Sequence, residues 1–229
     1  ELMRPYSTYS ASQSVTTIEE REIPENEGIR KKEIGITSEE EILLEDINQN
    51  KLSGVVERYK RLTWSRRKGN ELKNSLLKKQ LIDTEEIPTK SGRVIVLKLT
   101  KEGKYQTDKS NIATQKDLRE GGITHEYWKK KYAEHFTKKG FEITFEKPIG
   151  EGKSVDVVAT KNGKQIAIEI ETGRSDILSN INKCIEAKFD KIILVATTEK
   201  VESKVKSLLE DNALNQNPNI ILSCARRTA

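Results

Sequence analysis

The chain has 229 residues, of which 34% are apolar and 34% are charged, and its formal net charge is +5. This lean apolar content favours two small cores over one large core, and no apolar run approaches the length of a membrane span. Two cysteines, Cys184 and Cys224, form no disulfide framework, so we expect a reducing, cytoplasmic location and no membrane association.

The first segment, residues 1–37, is polar and weakly periodic, which is typical of an arm or linker. The chain begins with Glu1 rather than Met, so a fragment of a longer protein is expected. A first helix is predicted after this segment, because Ser38 can cap a helix and Glu41 can complete a capping box three residues later.

Two further helices are predicted over 52–62 and 63–82, followed by a turn at 90–92 and a strand over 93–99. Three helices and a β-ribbon are the element order of a winged helix-turn-helix, which we assign to residues 38–106. The passage KKQLIDTEEIPTKSGRVIVLKLTKEGK resembles the helix-to-wing segment of bacterial and archaeal winged-helix domains.

The third helix and the ribbon carry the residues that we expect to contact DNA. Between Ser53 and Ile82, nine Lys or Arg residues stand against two Glu residues, and this excess favours contact with phosphates. The alternative is a winged helix used for protein contacts. The predicted DNA-binding residues are Arg66, Arg67, Lys68, Asn70, Lys73, Lys90 and Arg93.

Polar residues 107–121 predict a linker, and residues 122–229 predict a second domain. Its elements are expected in the order helix, three strands, helix, strand, helix, strand, which indicates an α/β domain with a mixed sheet. The stretch GEGKS, ending at Ser154, suggests a phosphate-binding loop. However, Lys147 stands where that motif needs glycine, and a β-branched run replaces the helix, so we predict a glycine turn entering a strand.

Asn162-Gly163 between two β-rich runs predicts a two-residue hairpin turn. That register pairs Val155 with Ile170 and Val157 with Ile168, and it puts Asp156 directly across from Glu169, with Glu171 on the same face. Like charges opposed across strands destabilise a sheet, so the three carboxylates indicate a site for Mg²⁺ or Mn²⁺. A plain solvated face is the alternative.

The order of helix, strand, Asp-bearing strand, hairpin and Glu-bearing strand resembles the core of the PD-(D/E)XK nuclease superfamily over residues 122–223. The resemblance implies a restriction-endonuclease-like fold in which Asp156 and Glu169 bind metal. Glu171 occupies the usual lysine position and is expected to bind metal or orient water. The resemblance further implies that an acidic residue of the first helix completes the site, with Glu126 preferred over Glu134. Lys183 is expected to replace the missing lysine. Phosphate contacts are expected from Arg174 and Ser175.

The resemblance implies a metal-dependent endonuclease that hydrolyses DNA phosphodiester bonds, with the winged helix delivering DNA. Two alternatives stay open: a catalytically inactive nuclease-fold docking module, and a transcription regulator. The stretch IEIETGRSDILSNINKC resembles nuclease-like domains fused to archaeal or plasmid ATPases of the HerA or conjugation type. An ATPase partner or domain and a homodimer are therefore further expectations.

Overall fold

A computed structural model describes residues 35–107 and 122–228, so the predicted arm and linker lie almost wholly outside the described residues. No helix in these two ranges is long and apolar enough to cross a membrane. The elements of the first range are α1 (Ser38–Gln49), α2 (Val55–Arg61), α3 (Arg66–Lys78), β1 (Ile82–Thr89), β2 (Gly92–Leu99) and α4 (Lys101–Thr107).

The capping box of α1 lies one residue earlier than predicted. The Thr37 hydroxyl accepts the Glu40 N–H at 3.3 Å, and the Glu40 carboxylate accepts the Thr37 N–H at 2.8 Å. The predicted pair of Ser38 and Glu41 is therefore wrong. Glu40 completes the capping box in place of Glu41 because α3 covers the Glu40 side chain, which is only 1% exposed.

Glu40 also ties α1 to α3, and its loss is expected to lower the free energy of unfolding. Its carboxylate accepts hydrogen bonds from the Ser75 hydroxyl at 2.6 Å and from Lys79 Nζ at 2.6 Å and 2.8 Å. Burial acts to raise the pKa of Glu40, but the bonds from Lys79 and Ser75 outweigh it and lower the pKa from 4.5 to about 2.

Because the folded state favours the ionised form, this stabilisation is complete above about pH 4.5 and is lost as the pH falls towards about 2. Glu40→Gln should therefore cost about 1.5–3 kcal/mol at pH 7 and clearly less at pH 3. Urea unfolding of both proteins at the two pH values measures this. An equal difference at both would contradict the ionic account of Glu40.

The ribbon formed by β1 and β2 packs against the helices on either side of it in sequence. All eight residues of β1 pair antiparallel with β2, and an isolated bridge joins Gly54, before α2, to Val96 of β2. Gly54 lies so close to the ribbon that a Cβ there would lie 2.8 Å from the Val94 side chain. The ribbon is therefore fixed to the helices and does not extend freely into solvent.

The second described range forms one mixed sheet with helices on both faces, which confirms the predicted α/β class. The strand order is β3-β4-β5-β6-β7; β3, β4 and β5 are antiparallel neighbours, and β6 and β7 continue parallel to β5. The elements are α5 (Gly122–Lys138), β3 (Glu142–Gly150), β4 (Lys153–Lys161), β5 (Lys164–Glu171), α6 (Ile177–Glu186), β6 (Lys191–Ala196), α7 (Glu199–Asp211), β7 (Ile220–Cys224) and α8 (Ala225–Thr228).

Each face of this sheet has its own apolar core. Val157 and Ile168 belong to a cluster with α5, whereas their neighbours Val158 and Ala167 belong to a cluster with α6 and α7. Since side chains alternate along a strand, α5 covers one face and α6 and α7 cover the other. The first cluster also includes Ile87 and Val96 of the ribbon.

The predicted hairpin and glycine turn are both confirmed. Asn162 and Gly163 have φ values of 52° and 75°, and the flanking pairs run from Lys161–Lys164 to Val157–Ile168. Positive φ at both central residues is what a type I′ turn requires. The GEGKS stretch forms the turn between β3 and β4, with β4 beginning at Lys153.

The β4–β5 ladder ends at Val157–Ile168, before it reaches Asp156. The predicted pairs Val155–Ile170 and Asp156–Glu169 are therefore not formed. The Ile170 N–H donates to the Asp156 side chain, at Oδ2 and 2.8 Å, so a carboxylate takes the place of a ladder carbonyl. Val155 departs from strict alternation, because it packs in the same cluster as Val158.

Candidate active site

Asp156 lies where the β4–β5 ladder ends, and its side chain is 15% exposed. Its Oδ2 accepts the Ile170 N–H and lies 3.0 Å from Nε2 of His125, in the first turns of α5. Burial acts to raise the pKa of Asp156, but the hydrogen bond and charge of His125 outweigh it and lower the pKa. Asp156 is therefore held as a carboxylate at neutral pH.

Glu169, near the C-terminal end of β5, is only 2% exposed and pairs with Lys183 of α6 at 3.1 Å. The same ammonium donates to the Ser154 carbonyl at 2.7 Å, which joins α6 to the start of β4. Burial, with the Asp156 charge next, raises the pKa of Glu169 to about 8, and Lys183 opposes the rise. Lys183 thus joins Glu169 of β5 to the start of β4, and its role as a substitute lysine stays a prediction.

The three predicted carboxylates contact different helices. Asp156 contacts α5, whereas Glu169 and Glu171 contact α6. The physical reason is the early end of the ladder, which removes Asp156 from the alternation that the register assumed. The Asp156 and Glu169 charges still interact, since Asp156 contributes to the raised pKa of Glu169.

Asp156 and Glu169 each keep one oxygen open. The hydrogen bonds go to Oδ2 of Asp156 and to Oε1 of Glu169, and no donor in residues 35–107 and 122–228 reaches Oδ1 or Oε2. Neither of these two oxygens is a fully buried atom without a hydrogen-bond partner. In the described ranges, the only such side-chain atoms are Nε of Arg58 and Nε1 of Trp128. Two open carboxylate oxygens on neighbouring strands suit a hard cation.

Glu171 is fully buried, and both of its oxygens are already hydrogen-bonded. The Asn180 amide donates to Oε1 at 3.0 Å and the Ser175 hydroxyl donates to Oε2, so Glu171 holds the loop between β5 and α6. Within the described part of the chain, no three His, Cys, Asp or Glu side chains group as a metal site. Both oxygens of Glu171 are thus engaged within the chain.

A second polar cluster on α5 surrounds Asp156, and its key member was not predicted. His125 bonds Asp156 through Nε2 and lies 3.3 Å from Glu126 through Nδ1. Burial acts to lower the pKa of His125, but its bonds to Asp156 and Glu126 raise it to about 9. The imidazole is therefore positively charged at neutral pH.

Within the described ranges Glu126 contacts the candidate site through His125 alone, so no contact there supports its predicted direct role. Its carboxylate instead accepts from Lys129 Nζ at 3.0 Å. Lys129 is 4% exposed and also bonds Glu146 of β3. The only sequence signal for this cluster was the HE pair at the start of α5, since Asp156 lies 31 residues away.

The predicted DNA-binding residues fall in three places. On α3, Arg66 and Arg67 are exposed, Lys68 pairs with Glu39 of α1, and Asn70 and Lys73 are half-buried. The remaining residues lie at the ribbon turn (Lys90 and Arg93) and in the loop before α6 (Arg174 and Ser175). Arg93 bonds Glu86 at 2.6 Å, and Ser175 is engaged by Glu171.

No family model matches the chain, and no curated protein is significantly similar to it in sequence.

Proposed function

We propose that the chain is a metal-dependent DNA endonuclease, in which a winged helix-turn-helix precedes a restriction-endonuclease-like domain. The observation that supports the proposal is the placement of Asp156 and of the Glu169–Lys183 pair beyond the end of the β4–β5 ladder, close enough for the Asp156 charge to raise the pKa of Glu169. The order α5-β3-β4-β5-α6-β6, with an antiparallel meander followed by a parallel crossover, supports it.

Asp156 and Glu169 are the side chains that fit Mg²⁺ or Mn²⁺, because each has an open carboxylate oxygen. When bound, such an ion lowers the pKa of a bound water and neutralises phosphate charge. Glu171 does not fit, since Asn180 and Ser175 occupy both of its oxygens. The proposed ligand set is therefore smaller than the sequence predicted.

The chain supplies the remaining chemistry through charge and position. Lys183 brings a positive charge to Glu169, from where it can stabilise negative charge that develops on the scissile phosphate. His125 holds Asp156 by a charge-assisted hydrogen bond and fixes its orientation. The substrate class is DNA, delivered by the first three helices.

The winged-helix proposal rests on α1, α2, α3 and the ribbon. The Gly54–Val96 bridge adds a third backbone segment to the ribbon, and α3 presents Arg66 and Arg67 to solvent. The buried face of the ribbon, including Ile87 and Val96, limits wing contacts to the turn around Lys90. We infer that α3 provides most of the phosphate contacts.

Replacing Lys183 with Ala should slow single-turnover DNA cleavage about tenfold to a hundredfold, while Lys183→Arg should retain much of the rate. The ammonium of Lys183 has access to Glu169, whereas Lys188 is exposed just after α6. Lys188→Ala is therefore the matched control and should cleave normally. Equal rates for all the variants would remove Lys183 from the proposed centre.

Replacing Arg66 and Arg67 with Ala should weaken binding to DNA of many sequences. Each lost phosphate contact should reduce the slope of log affinity against log salt by about 0.9. The control is Lys206→Ala, because Lys206 on α7 forms an i,i+4 pair with Glu210 as Arg67 does with Glu71. Fluorescence anisotropy titrations at several salt concentrations measure both; unchanged affinity would exclude α3 from DNA binding.

A catalytically inactive docking module is the second candidate, and one observation favours it. Asp156 and Glu169 already have basic partners within the chain, in His125 and Lys183, so each is paired without a metal ion. In that case the chain would recruit an ATPase or recombination partner to DNA. A homodimer and a cytoplasmic location belong to either proposal, and Cys184 and Cys224 are buried and form no disulfide.

A further inference from the structure

The ribbon supplies a hydrogen-bonding partner for the first turn of α5. Glu85 of β1 accepts the Thr124 N–H at 3.2 Å and the Thr124 hydroxyl at 2.7 Å, both at Oε1. The first N–H groups of a helix have no partner within it, and a negative charge there favours the helix dipole. Glu85 therefore acts as a capping group from a different part of the fold.

The same turn of α5 carries the group that contacts Asp156. His125 follows Thr124 directly, and its Nε2 lies 3.0 Å from Asp156 Oδ2. Apolar packing accompanies the polar contact, since Ile87 of the ribbon and Ile123 of α5 belong to the same core cluster. The ribbon thus holds the helix by two kinds of contact beside the candidate site.

We propose that Glu85 is a positioning residue that couples the ribbon of the winged helix to the candidate active site, by fixing Thr124 and thereby the His125–Asp156 contact. Its role in cleavage rests on the proposed function, but its role in holding His125 does not. A displacement of the ribbon on DNA would reach Asp156 through Glu85, Thr124 and His125, a chain of direct contacts.

The neighbouring residue provides a matched control. Glu86 lies next to Glu85 on β1, but it is 53% exposed and bonds Arg93 across the ribbon. Glu85→Ala removes the acceptor of both Thr124 bonds, whereas Glu85→Gln keeps an amide oxygen that can accept them. Glu86→Ala changes the same strand without touching α5.

The first measurement is the imidazole NMR spectrum, because the chain has two histidines, His125 and His135. Glu85→Ala should shift the ring signals of His125 and leave those of His135, which is exposed near the end of α5, unchanged. Glu85→Gln should shift His125 less, and Glu86→Ala should shift neither. An unmoved His125 in Glu85→Ala, or equal shifts of both histidines, would overturn the coupling.

The second measurement is single-turnover cleavage with DNA affinity determined in parallel. Glu85→Ala should cleave about tenfold more slowly with unchanged affinity, and Glu85→Gln should recover most of the rate. A merely structural contact would lower the melting temperature without this separation of rate from affinity, which would reject the positioning role. If the wild-type chain cleaves no DNA, the nuclease proposal fails, while the His125 spectrum still decides whether Glu85 positions α5.

Discussion

Replacing Asp156 with Asn should slow metal-dependent DNA cleavage by about three orders of magnitude and leave the fold intact. Asn keeps an oxygen that accepts the Ile170 N–H, so the end of the ladder survives. It removes the negative charge that suits a cation and that attracts the charged imidazole of His125. DNA affinity should stay close to that of the wild type, because the proposed phosphate contacts lie on α3.

The control for this substitution is Asp211→Asn, at the exposed C-terminal end of α7. Thermal unfolding with and without Mn²⁺ separates binding from folding, because a ligand that binds only the folded state raises the melting temperature. The wild type and Asp211→Asn should both respond to Mn²⁺, and Asp156→Asn should not. If Asp156→Asn is unfolded at room temperature, the carboxylate is structural and the site assignment is wrong.

Replacing Asp46 with Ala should destabilise the chain by about 3–5 kcal/mol, because it leaves a buried charge without its partner. Arg58 of α2 is completely buried and pairs with Asp46 of α1. Asp46 also accepts from Arg61 Nε at 2.8 Å and Nη2 at 2.9 Å, so one carboxylate joins α1 to two arginines of α2.

Urea unfolding of Asp46→Ala and of the double variant Asp46→Leu/Arg58→Met tests the reason for this loss. The double variant removes both charges and fills the space with apolar groups, so it should be clearly more stable than Asp46→Ala. Arg61→Ala should cost less than Asp46→Ala, since Arg61 is 40% exposed. A loss below about 1 kcal/mol for Asp46→Ala would mean that water reaches Arg58 and replaces Asp46.

The hairpin of β4 and β5 shows how far local sequence could predict the candidate site. Asn162-Gly163 fixed the turn and five pairs of the ladder, because both residues tolerate positive φ. The sequence could not show that the ladder stops at Val157. That depends on Asp156 replacing a backbone acceptor and on Glu146, opposite it in β3, adopting a φ of 47°.

The roles of Glu171 and His125 were missed for a related reason. Glu171 stands where the superfamily resemblance expects lysine, but Asn180 in the first turn of α6 donates to one of its oxygens and Ser175 in the preceding loop donates to the other. His125 meets Asp156 only after α5 packs on the sheet. The α5–sheet packing depends on apolar residues such as Trp128 and Ile168, whose contacts the sequence pattern does not specify.

The helices and strands predicted from the sequence differ from those of the structure where tertiary packing overrides the local preference of the residues. The segment of β1 contains Pro88 and three acids, which are poor strand formers, and only its pairing with β2 accounts for the strand. The short helices α4 and α8 were not predicted. At α4, Gly103 packs so closely on Leu81 that a Cβ there would lie 2.0 Å from its carbonyl oxygen, so contact with the chain before β1 defines this helix.

Cleavage of linear, flap and four-way-junction DNA by the wild-type chain, in Mg²⁺, Mn²⁺ or EDTA, tests the nuclease proposal most directly. The account predicts that at least one substrate is cut with Mg²⁺ or Mn²⁺, that EDTA abolishes cutting, and that Asp156→Asn and Glu169→Gln fail to cut it. If a folded preparation that binds DNA cuts none of these substrates with either metal, the endonuclease proposal is wrong and the docking-module function takes its place.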